Sequence, residues 1–476
     1  MSSQRTEVLL VTPLPPMKTG LATYAVRVLE NTVDFIDWVV ACPQRPDMSL
    51  LPEGPQYLRL DELESRRPPD ARIFQLGNSL HCFPVLRALY RMRGTTVFHE
   101  TVLHHMIRQS CIERDMMDEY AGELRFCYGP GAEKIGKLLS KRVSEKEYDD
   151  LQKRYPLLGR ALNASTSAAC LNEYAADQIR NAFAPEAFAV IGHPLSPLPV
   201  FEKVHAPFSP CLGMVGSYHP GRNLDKTMAA VRILRDKGMS GAGLLLLGEG
   251  YPEDTPEWVM RAGRLPEPEY QAMIRTMDVV TDLRHPTCGE TSGSLLEVMR
   301  AGIPSVVSAS GAFLHIPSDA VMRVPVESTE EAVAEACRML ILDDDLRLSM
   351  SRAAEMYALS RGSVERLRKD WRKLTVMASA FSPVRPTSPK LRSLSPAWMD
   401  PPDGFERCLD TAPVTWKFRG EVRLKGPDGS MGGYVTVWGE GTVNGMPMSR
   451  NPEVMDFRGN ELVMNGRGHV SNVYWN

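Results

Sequence analysis

The sequence of 476 residues is long enough for two or three domains, and its hydrophobic fraction of 43% is sufficient for full-sized cores. The formal net charge is only −3, with acidic and basic residues mixed along the chain, so the electrostatics give no case for nucleic-acid binding. Nine cysteines are scattered singly without a CxxC pair, which argues against a disulfide framework or a zinc knuckle.

No apolar run reaches the length of a transmembrane helix, and the first apolar run is only four residues long, too short for a signal peptide. Single cysteines and the absence of these targeting segments predict a protein of the reducing cytoplasm. Peripheral contact with a membrane remains open.

The chain begins with a predicted strand at Glu7–Thr12 (EVLLVT), followed by a turn that contains three prolines and Gly20. Residues 21–30 then show a helical period of apolar side chains. A strand, a glycine-bearing loop and a helix are the means by which an α/β domain places backbone near a ligand. Further strands are predicted at 35–41, 72–76 and 95–98.

Three histidines, His99, His104 and His105, follow the strand predicted at 95–98. The stretch resembles the zinc-protease motif HExxH, but the second histidine comes one residue late. His99 and His104 would therefore lie about 140° apart around a helix, and no zinc site is predicted. His99 comes first after the strand and is predicted to face a ligand, whereas His104 and His105 are expected to be core or capping residues.

Residues 108–162 are charged and predict a helical insertion, after which residues 168–171 and 189–191 are predicted as the last strands of a first domain. Pro194, Pro197 and Pro199 form a stiff connection, which places a domain boundary near 195–208.

The second half of the chain restarts the pattern with a predicted strand at Cys211–Gly216, and the alternation of strands and helices that follows predicts a parallel sheet. Its further strands are expected at 244–247 and around 279–280. Arg222 lies in the loop after the first of these strands, where open α/β sheets bind ligands and where a guanidinium suits a diphosphate. The alternative for Arg222 is a solvated surface residue.

The stretch from Arg284 to Ser308 reads as a polar loop, a helix at 295–300 and a buried strand. A polar loop that opens a helix is an anion site, because free backbone N–H groups and the positive end of the helix dipole point the same way. The amides expected to form this site belong to Ser292, Gly293 and Ser294. Glu290 and Glu297 flank them, and carboxylates accept hydrogen bonds from sugar hydroxyls. The alternative is an ordinary loop–helix–strand unit in which Glu290 serves the helix dipole.

The end of the chain changes character. Asp343, Asp344 and Asp345 lie between two predicted helices and are expected to cap rather than to bind metal. Residues 363–378 predict a last amphipathic helix, and the proline-rich residues 382–404 predict a linker. Short β-branched and aromatic runs separated by Gly, Asn and Asp then predict a small all-β module at 405–476.

Over about residues 5–380 the sequence resembles GT-B glycosyltransferases, specifically the retaining family four and its bacterial surface-polysaccharide branch. The stretches that carry the resemblance are PLPPMKTGLATYAVRVL, IFQLGNSLH, VFHETVLHH, VGSYHPGRNLDK and HPTCGETSGSLLEVMRAGIPSVVS. The resemblance implies an α/β fold of two Rossmann-like domains that face a cleft. Residues 1–205 would form the acceptor domain with its helical insertion, and residues 206–381 the nucleotide-sugar domain.

The resemblance also implies roles for individual residues. Glu297 matches the carboxylate that binds the ribose, and Arg222 matches the basic residue that holds the diphosphate. Gly20 matches the glycine that lies close to the donor phosphates, and His99 matches the histidine that faces the transferred sugar. Glu290 is the nearest candidate for a ligand of a sugar hydroxyl or for an ion-pair stabiliser.

Two positions depart from the family pattern. The first glutamate of the family should lie eight residues before Glu297, where this chain has Gly289, so that Glu290 is shifted by one position. A second basic residue is common after the Val-Gly of the first strand, where this chain has Ser217. Both departures concern the geometry of the donor site.

The predicted function is the transfer of a sugar from a nucleotide diphosphate sugar to a saccharide or lipid-linked acceptor with retention of the anomeric configuration, in surface polysaccharide synthesis. No metal and no other cofactor is expected, and the protein is placed in the cytoplasm, with possible peripheral contact at the inner membrane. The alternatives are a non-catalytic glycan-binding GT-B protein and another GT-B enzyme, such as a nucleotide-sugar epimerase or a phosphorylase.

Overall fold

The computed structural model describes residues 6–63, 68–139, 145–182, 187–195 and 204–381, and five strands between residues 414 and 470. The proline-rich linker predicted at 382–404 lies outside the described residues. Within the described ranges, no helix is long and apolar enough to cross a membrane.

The first half of the chain alternates strands with helices. Its strands are β1 (Thr6–Val11), β2 (Ile36–Cys42), β3 (Gln56–Arg59), β4 (Ala71–Leu76), β5 (Gly94–Phe98), β6 (Ser165–Cys170) and β7 (Phe188–Val190). Its helices are α1 (Gly20–Thr32), α2 (Leu60–Leu63), α3 (Phe83–Met92), α4 (His104–Glu113), α5 (Met117–Tyr128), α6 (Glu133–Leu139), α7 (Glu145–Arg154), α8 (Gly159–Ala164) and α9 (Glu173–Ala182). Helices α4 to α8 lie between β5 and β6, where the sequence predicts a helical insertion.

The second half repeats the alternation. Its strands are β8 (Cys211–Val215), β9 (Gly243–Leu247), β10 (Val259–Arg261), β11 (Val279–Asp282), β12 (Ser305–Ser308) and β13 (Met322–Val324). Its helices are α10 (Leu224–Asp236), α11 (Glu267–Ile274), α12 (Gly293–Arg300), α13 (Glu330–Leu342), α14 (Asp344–Gly362) and α15 (Val364–Ala380). Short 3₁₀ turns occur at Met48–Leu50, Leu80–Cys82, Pro220–Arg222 and Gly311–His315.

The first sheet has the strand order β3-β2-β1-β4-β5-β6-β7 and the second has the order β10-β9-β8-β11-β12-β13. Every pairing within the two sheets is parallel. Apolar runs such as the fully buried GLLLL of β9 fit this arrangement, because a parallel strand is covered by helices on both faces. Each sheet reverses its order next to its first strand, and ligands bind outside the carboxyl ends of the strands at such a point. The predicted pair of Rossmann-like sheets is therefore confirmed.

Helix α15 follows the second sheet in sequence but packs in the core of the first. Leu367, Trp371 and Leu374 on one face of this helix are buried together with residues of β1 and β2. The ring of Trp371 meets that of Trp38 edge-on, with 5.7 Å between the centroids. The domain limits predicted at 205 and 381 remain predictions.

Two segments that link the halves of the molecule lie against each other, backbone to backbone. The N–H of Leu195 donates to the carbonyl of Gly362 at 3.1 Å. A Cβ at Gly192 would lie 2.1 Å from the carbonyl oxygen of Arg361, and a Cβ at Gly362 would lie 2.4 Å from the carbonyl oxygen of His193. Only glycine fits at both positions, because any side chain would meet backbone that cannot rotate away.

The predicted capping role of the aspartate run is confirmed for its first member. Asp343 is the N-cap of α14, and its Oδ1 accepts a hydrogen bond from the N–H of Leu346 at 2.9 Å. Asp344 and Asp345 occupy the first turn, where negative charge is favourable at the positive end of the helix dipole.

The C-terminal strands are antiparallel, unlike those of the two large sheets. They are β14 (Val414–Lys425), β15 (Met431–Val443), β16 (Met455–Arg458), β17 (Glu461–Met464) and β18 (Gly468–Val470). β14 pairs with β15, and β16, β17 and β18 form a second small sheet. Independent folding of this region stays a prediction.

Candidate active site

The loop that follows β11 lies directly against the first half of the molecule. The N–H of Thr101 donates to the carbonyl of Cys288 at 2.8 Å. The side-chain amide of Asn172 donates to the carbonyl of Gly289 at 2.9 Å and to Oγ1 of Thr291 at 2.8 Å. Thr101 and Asn172 come shortly after β5 and β6, so the carboxyl-terminal ends of strands from both sheets meet at one interface. This interface, between residues 99–101 and 172 on one side and 282–297 on the other, is called the cleft below.

Helix α12 begins in the cleft at Gly293, two residues before the start of the helix predicted at 295–300. Ser292 is its N-cap, and its hydroxyl accepts a hydrogen bond from the N–H of Leu295 at 3.2 Å. Gly293 and Ser294 are the first two helical residues, whose amides have no acceptor within an α-helix. A Cβ at Gly293 would lie 2.8 Å from the ring of His193, so glycine allows the first half of the molecule to approach this helix end closely.

Asp282, which the sequence does not single out, joins three parts of the cleft. Its carboxylate accepts from Nη2 of Arg222 at 3.2 Å and Nε of Arg284 at 3.0 Å, and from the hydroxyl of Ser292 at 2.7 Å. Burial alone would raise the pKa of Asp282, but Arg284 and Arg222 outweigh it and the pKa is lowered. Asp282 is thus an ionised group that fixes two guanidinium groups and the cap of α12.

Arg222 lies at the predicted place but is turned inward. Its Nη2 also donates to the carbonyl of Val215 at 2.5 Å, and its Nη1 donates to that of Ser217 at 3.2 Å. A Cβ at Gly216 would lie 2.5 Å from Nη1 and 3.1 Å from Oγ of Ser294. The guanidinium is therefore next to the N-terminus of α12. Its terminal nitrogens bind Asp282 and two backbone carbonyls, and its buried Nε has no hydrogen-bond partner among the described residues.

Glu290 is held by its own loop. Its Oε2 accepts from the N–H of Cys288 at 2.8 Å and from the hydroxyl of Thr287 at 3.0 Å, and its Oε1 accepts from Nη1 of Arg284 at 3.3 Å. Gly289 has a φ of +82°, and a Cβ there would lie 2.4 Å from Oγ1 of Thr101. A glutamate at 289 would be strained and would collide with Thr101, so this backbone accepts glycine at 289 and carries the carboxylate at 290.

Glu297 is buried and bridges the two halves of the molecule. Its Oε1 accepts from Nη1 of Arg27 on α1 at 2.9 Å, and its Oε2 accepts from the side-chain amide of Gln271 at 3.2 Å. Arg27 also donates to the carbonyl of Pro194 at 3.2 Å. The residue predicted to bind the ribose is thus paired with an arginine from the first half of the chain.

His99 lies on the opposite side of the cleft, at the end of β5. Its Nε2 is buried without a hydrogen-bond partner, and its ring meets that of Tyr24 edge-on at 4.6 Å. Burial, and to a lesser extent His193, lowers the pKa of His99 to about 3, so the ring is neutral at neutral pH. Gly20 begins α1, and no atom lies within 4 Å of the position of a Cβ there, so a ligand could approach its backbone.

Glu100 is a second cleft residue that the sequence analysis does not select. Its Oε2 accepts from the N–H of Asn78 at 2.9 Å. Burial, followed by the charge of Glu290, raises the pKa of Glu100 to about 8, although Asn78 and Arg284 act in the opposite direction. Glu100 and Asp282 could have been selected from their positions in the sequence, because both lie at the carboxyl end of a buried strand, where α/β sheets bind ligands.

The other two histidines of the motif are held by tyrosines. His104 is buried, with Nδ1 at 2.5 Å from the carbonyl of Tyr155 and Nε2 at 2.7 Å from the hydroxyl of Tyr120. Nδ1 of His105 lies 3.1 Å from the hydroxyl of Tyr148. In the described part of the chain, no group of three or more His, Cys, Asp or Glu side chains is arranged to hold a metal ion.

The two parallel sheets, with helices on both faces, define the GT-B class of fold. Sucrose-phosphate synthase from Thermosynechococcus elongatus has this fold, with a TM-score of 0.53 and 14% sequence identity over 79% of this chain and 100% of the synthase chain. WaaG, a glycosyltransferase involved in lipopolysaccharide biosynthesis, has a TM-score of 0.52 and 13% identity over 78% of this chain and 99% of its own. At such identities the likeness shows the fold. Neither the protein-family models nor the curated proteins give a match.

Proposed function

We propose that this protein is a retaining glycosyltransferase that moves a sugar from a nucleotide diphosphate sugar to a saccharide or lipid-linked acceptor in surface polysaccharide synthesis. The observation that carries the proposal is the cleft itself. Residues from separate stretches of sequence meet there, with the predicted His99 and its neighbour Glu100 on one side and the N-terminus of α12 on the other, in a fold shared with a glycosyltransferase. We place this activity in the cytoplasm, with peripheral contact at the inner membrane.

Each predicted residue has a role in this proposal. The amides of Gly293 and Ser294 hold the diphosphate, with Arg222 behind them, and stabilise the charge that develops as it leaves. Glu297 accepts from the ribose hydroxyls after Arg27 is displaced. Glu290 accepts from a hydroxyl of the transferred sugar, and the close approach of the donor is possible at Gly20.

His99 faces the transferred sugar as a neutral ring, able to accept or donate one hydrogen bond. In the proposed transfer, the bond from the anomeric carbon to the phosphate oxygen breaks and its electron pair stays on the nucleoside diphosphate. The acceptor oxygen attacks the same face of the sugar, and its proton passes to the departing phosphate. Exclusion of water by the closed cleft favours transfer over hydrolysis.

The test is an assay of the full chain with UDP-, GDP- and ADP-sugars and a panel of saccharide acceptors. We expect release of one nucleoside diphosphate and, by NMR, a product with the anomeric configuration of the donor. Activity should persist in EDTA, because in this proposal the amides of α12 and Arg222 stabilise the departing diphosphate without a metal ion. A nucleotide at 100 times its Kd should stabilise the fold by about 2.7 kcal/mol, so thermal shift identifies the base first. Absence of transfer with every donor that binds would contradict the proposal.

A second candidate is a non-catalytic glycan-binding protein of the same fold. The specific observation in its favour is that the charged groups of the cleft are already engaged: Glu297 by Arg27, and Arg222 by Asp282 and by backbone carbonyls. This candidate predicts glycan binding without donor hydrolysis or transfer, which the same assay distinguishes.

A further inference from the structure

Arg284 places a second guanidinium group beside the N-terminus of α12. Its Nη2 donates to the hydroxyl of Ser292 at 2.8 Å, and its Nε donates to Asp282 at 3.0 Å. Arg222 reaches the same carboxylate of Asp282 from the loop after β8. The loop after β8 and the loop after β11 therefore each bring one guanidinium group to the carboxylate of Asp282.

The two arginines differ in how firmly they are committed. The side chain of Arg222 is 6% exposed and binds two backbone carbonyls, which cannot rotate away. The side chain of Arg284 is 21% exposed, and its two terminal nitrogens bind the side chains of Glu290 and Ser292. Arg284 is thus the more exposed of the two guanidinium groups and binds only side chains, whereas Arg222 is buried, is held by two backbone carbonyls and has one unpaired donor, its Nε.

The charges of this cluster balance before any ligand binds. Arg222 and Arg284 supply two positive charges, and Asp282 and Glu290 supply two negative charges. A diphosphate that enters must therefore either share an arginine with a carboxylate or take the place of a carboxylate. Asp282 is 2% exposed and bound to three groups, whereas Glu290 is 22% exposed and meets Arg284 through one contact of 3.3 Å. Glu290 is the carboxylate that can be replaced.

We propose that Arg284 binds the diphosphate of the nucleotide donor, and that Glu290 occupies this guanidinium until the diphosphate replaces it. Asp282 acts as a positioning residue, because it accepts from Nε of Arg284 and from the hydroxyl of Ser292, and Arg222 holds the same carboxylate. The exchange frees Oε1 of Glu290 for a hydroxyl of the transferred sugar, so donor binding itself prepares the carboxylate. The class of ligand rests on the proposed function, but the exchange of partners rests on the contacts alone.

The experiment is calorimetric titration of the full chain with UDP, GDP, ADP and inorganic pyrophosphate. Arg284→Met should weaken the binding of the preferred diphosphate by about tenfold or more, the effect of one charge-assisted contact. Glu290→Gln should strengthen it severalfold, because the competing charge is removed while the amide oxygen can still accept from the N–H of Cys288. In the double variant the gain should vanish, because Glu290 acts through Arg284.

The exposed ion pair Arg338–Glu335 on α13 supplies a matched control in the same half of the molecule. The variant R338M/E335Q should bind diphosphates like the wild type. All variants should keep the circular dichroism of the wild type. Arg284→Lys should bind the diphosphate more tightly than Arg284→Met, because it keeps the positive charge. Unchanged affinity in Arg284→Met, or weaker binding in Glu290→Gln, would overturn the inference, as would a wild-type protein that binds none of the four probes. Diphosphate binding without sugar transfer would instead contradict the proposed function and leave the inference standing.

Discussion

His99 shows how a single side chain can be prepared for chemistry by its surroundings. Its Nε2 has no hydrogen-bond partner, and its ring is held edge-on by Tyr24. A buried polar atom without a partner costs free energy, so such an atom in a cleft calls for a ligand. Because burial keeps the ring neutral, the ring neither repels a cationic group nor attracts the phosphates.

His99→Ala should therefore lower turnover by roughly ten- to ten-thousandfold, the range for a lost acid–base or positioning group. Affinity for the free nucleoside diphosphate, which carries no sugar, should stay within about twofold of the wild type. Steady-state kinetics and calorimetry measure the two effects, and His81→Ala, at an exposed position, is the control. Full activity in His99→Ala would leave this histidine with a structural role only.

Glu100 gives a prediction for stability against pH. Its pKa is raised to about 8 in the folded protein from an ordinary value of 4.5, so the folded state keeps a proton that the unfolded chain has lost. The free energy of unfolding should therefore fall as the pH rises from about 4.5 to about 8, and this contribution should then level off. Glu100→Gln should flatten that part of the curve. Thermal melts of both proteins between pH 5 and 8 measure the difference, and parallel curves would contradict it.

At the scale of elements, helix α15 connects the end of the second half of the chain to the core of the first sheet. Trp371 is fully buried against the first sheet, so the helix belongs to the core that is built mainly by the first half of the chain. The amphipathic pattern at 363–378 predicts the helix and its buried face, but a pattern does not name the surface that covers that face.

A truncated protein ending at Phe381 should remain soluble and bind nucleotide like the full chain, because it keeps α15 and loses only residues 382–476. A protein ending at Gly362 is the matched comparison. It lacks α15, exposes the apolar groove that Trp371 fills, and should aggregate or melt at a lower temperature. Size-exclusion chromatography and thermal melts test both. Loss of nucleotide binding in the longer truncation would make the C-terminal strands part of the catalytic body.

The inner strands and the start of α12 can be predicted from the sequence, because each is an apolar run or a capped helix. The edge strands β3, β10 and β13 are not predicted, since they are three or four residues long and partly exposed. The site was predicted in part for a similar reason. Motif spacing identifies Glu297, but the arginine that it binds lies 270 residues earlier and carries no local signal.

At the scale of the whole molecule, the pair of Arg27 and Glu297 crosses the cleft and covers the predicted ribose ligand. Arg27→Met should raise the affinity for the free nucleoside diphosphate by about two- to tenfold, because the ribose no longer competes with a guanidinium. Calorimetry measures the change. The exposed pair Arg59–Asp61 provides the control variant Arg59→Met. Weaker binding in Arg27→Met would show that the arginine itself contacts the nucleotide.

The close contact of Gly192 and Gly362 with opposing backbone fastens the two halves of the molecule together along one line. Because neither segment can slide past the other without a collision of backbone atoms, we expect any opening of the cleft to be a rotation about this line. Arg27 donates to the carbonyl of Pro194, beside this contact, so we expect the Arg27–Glu297 pair to move less in such a rotation than groups farther from it.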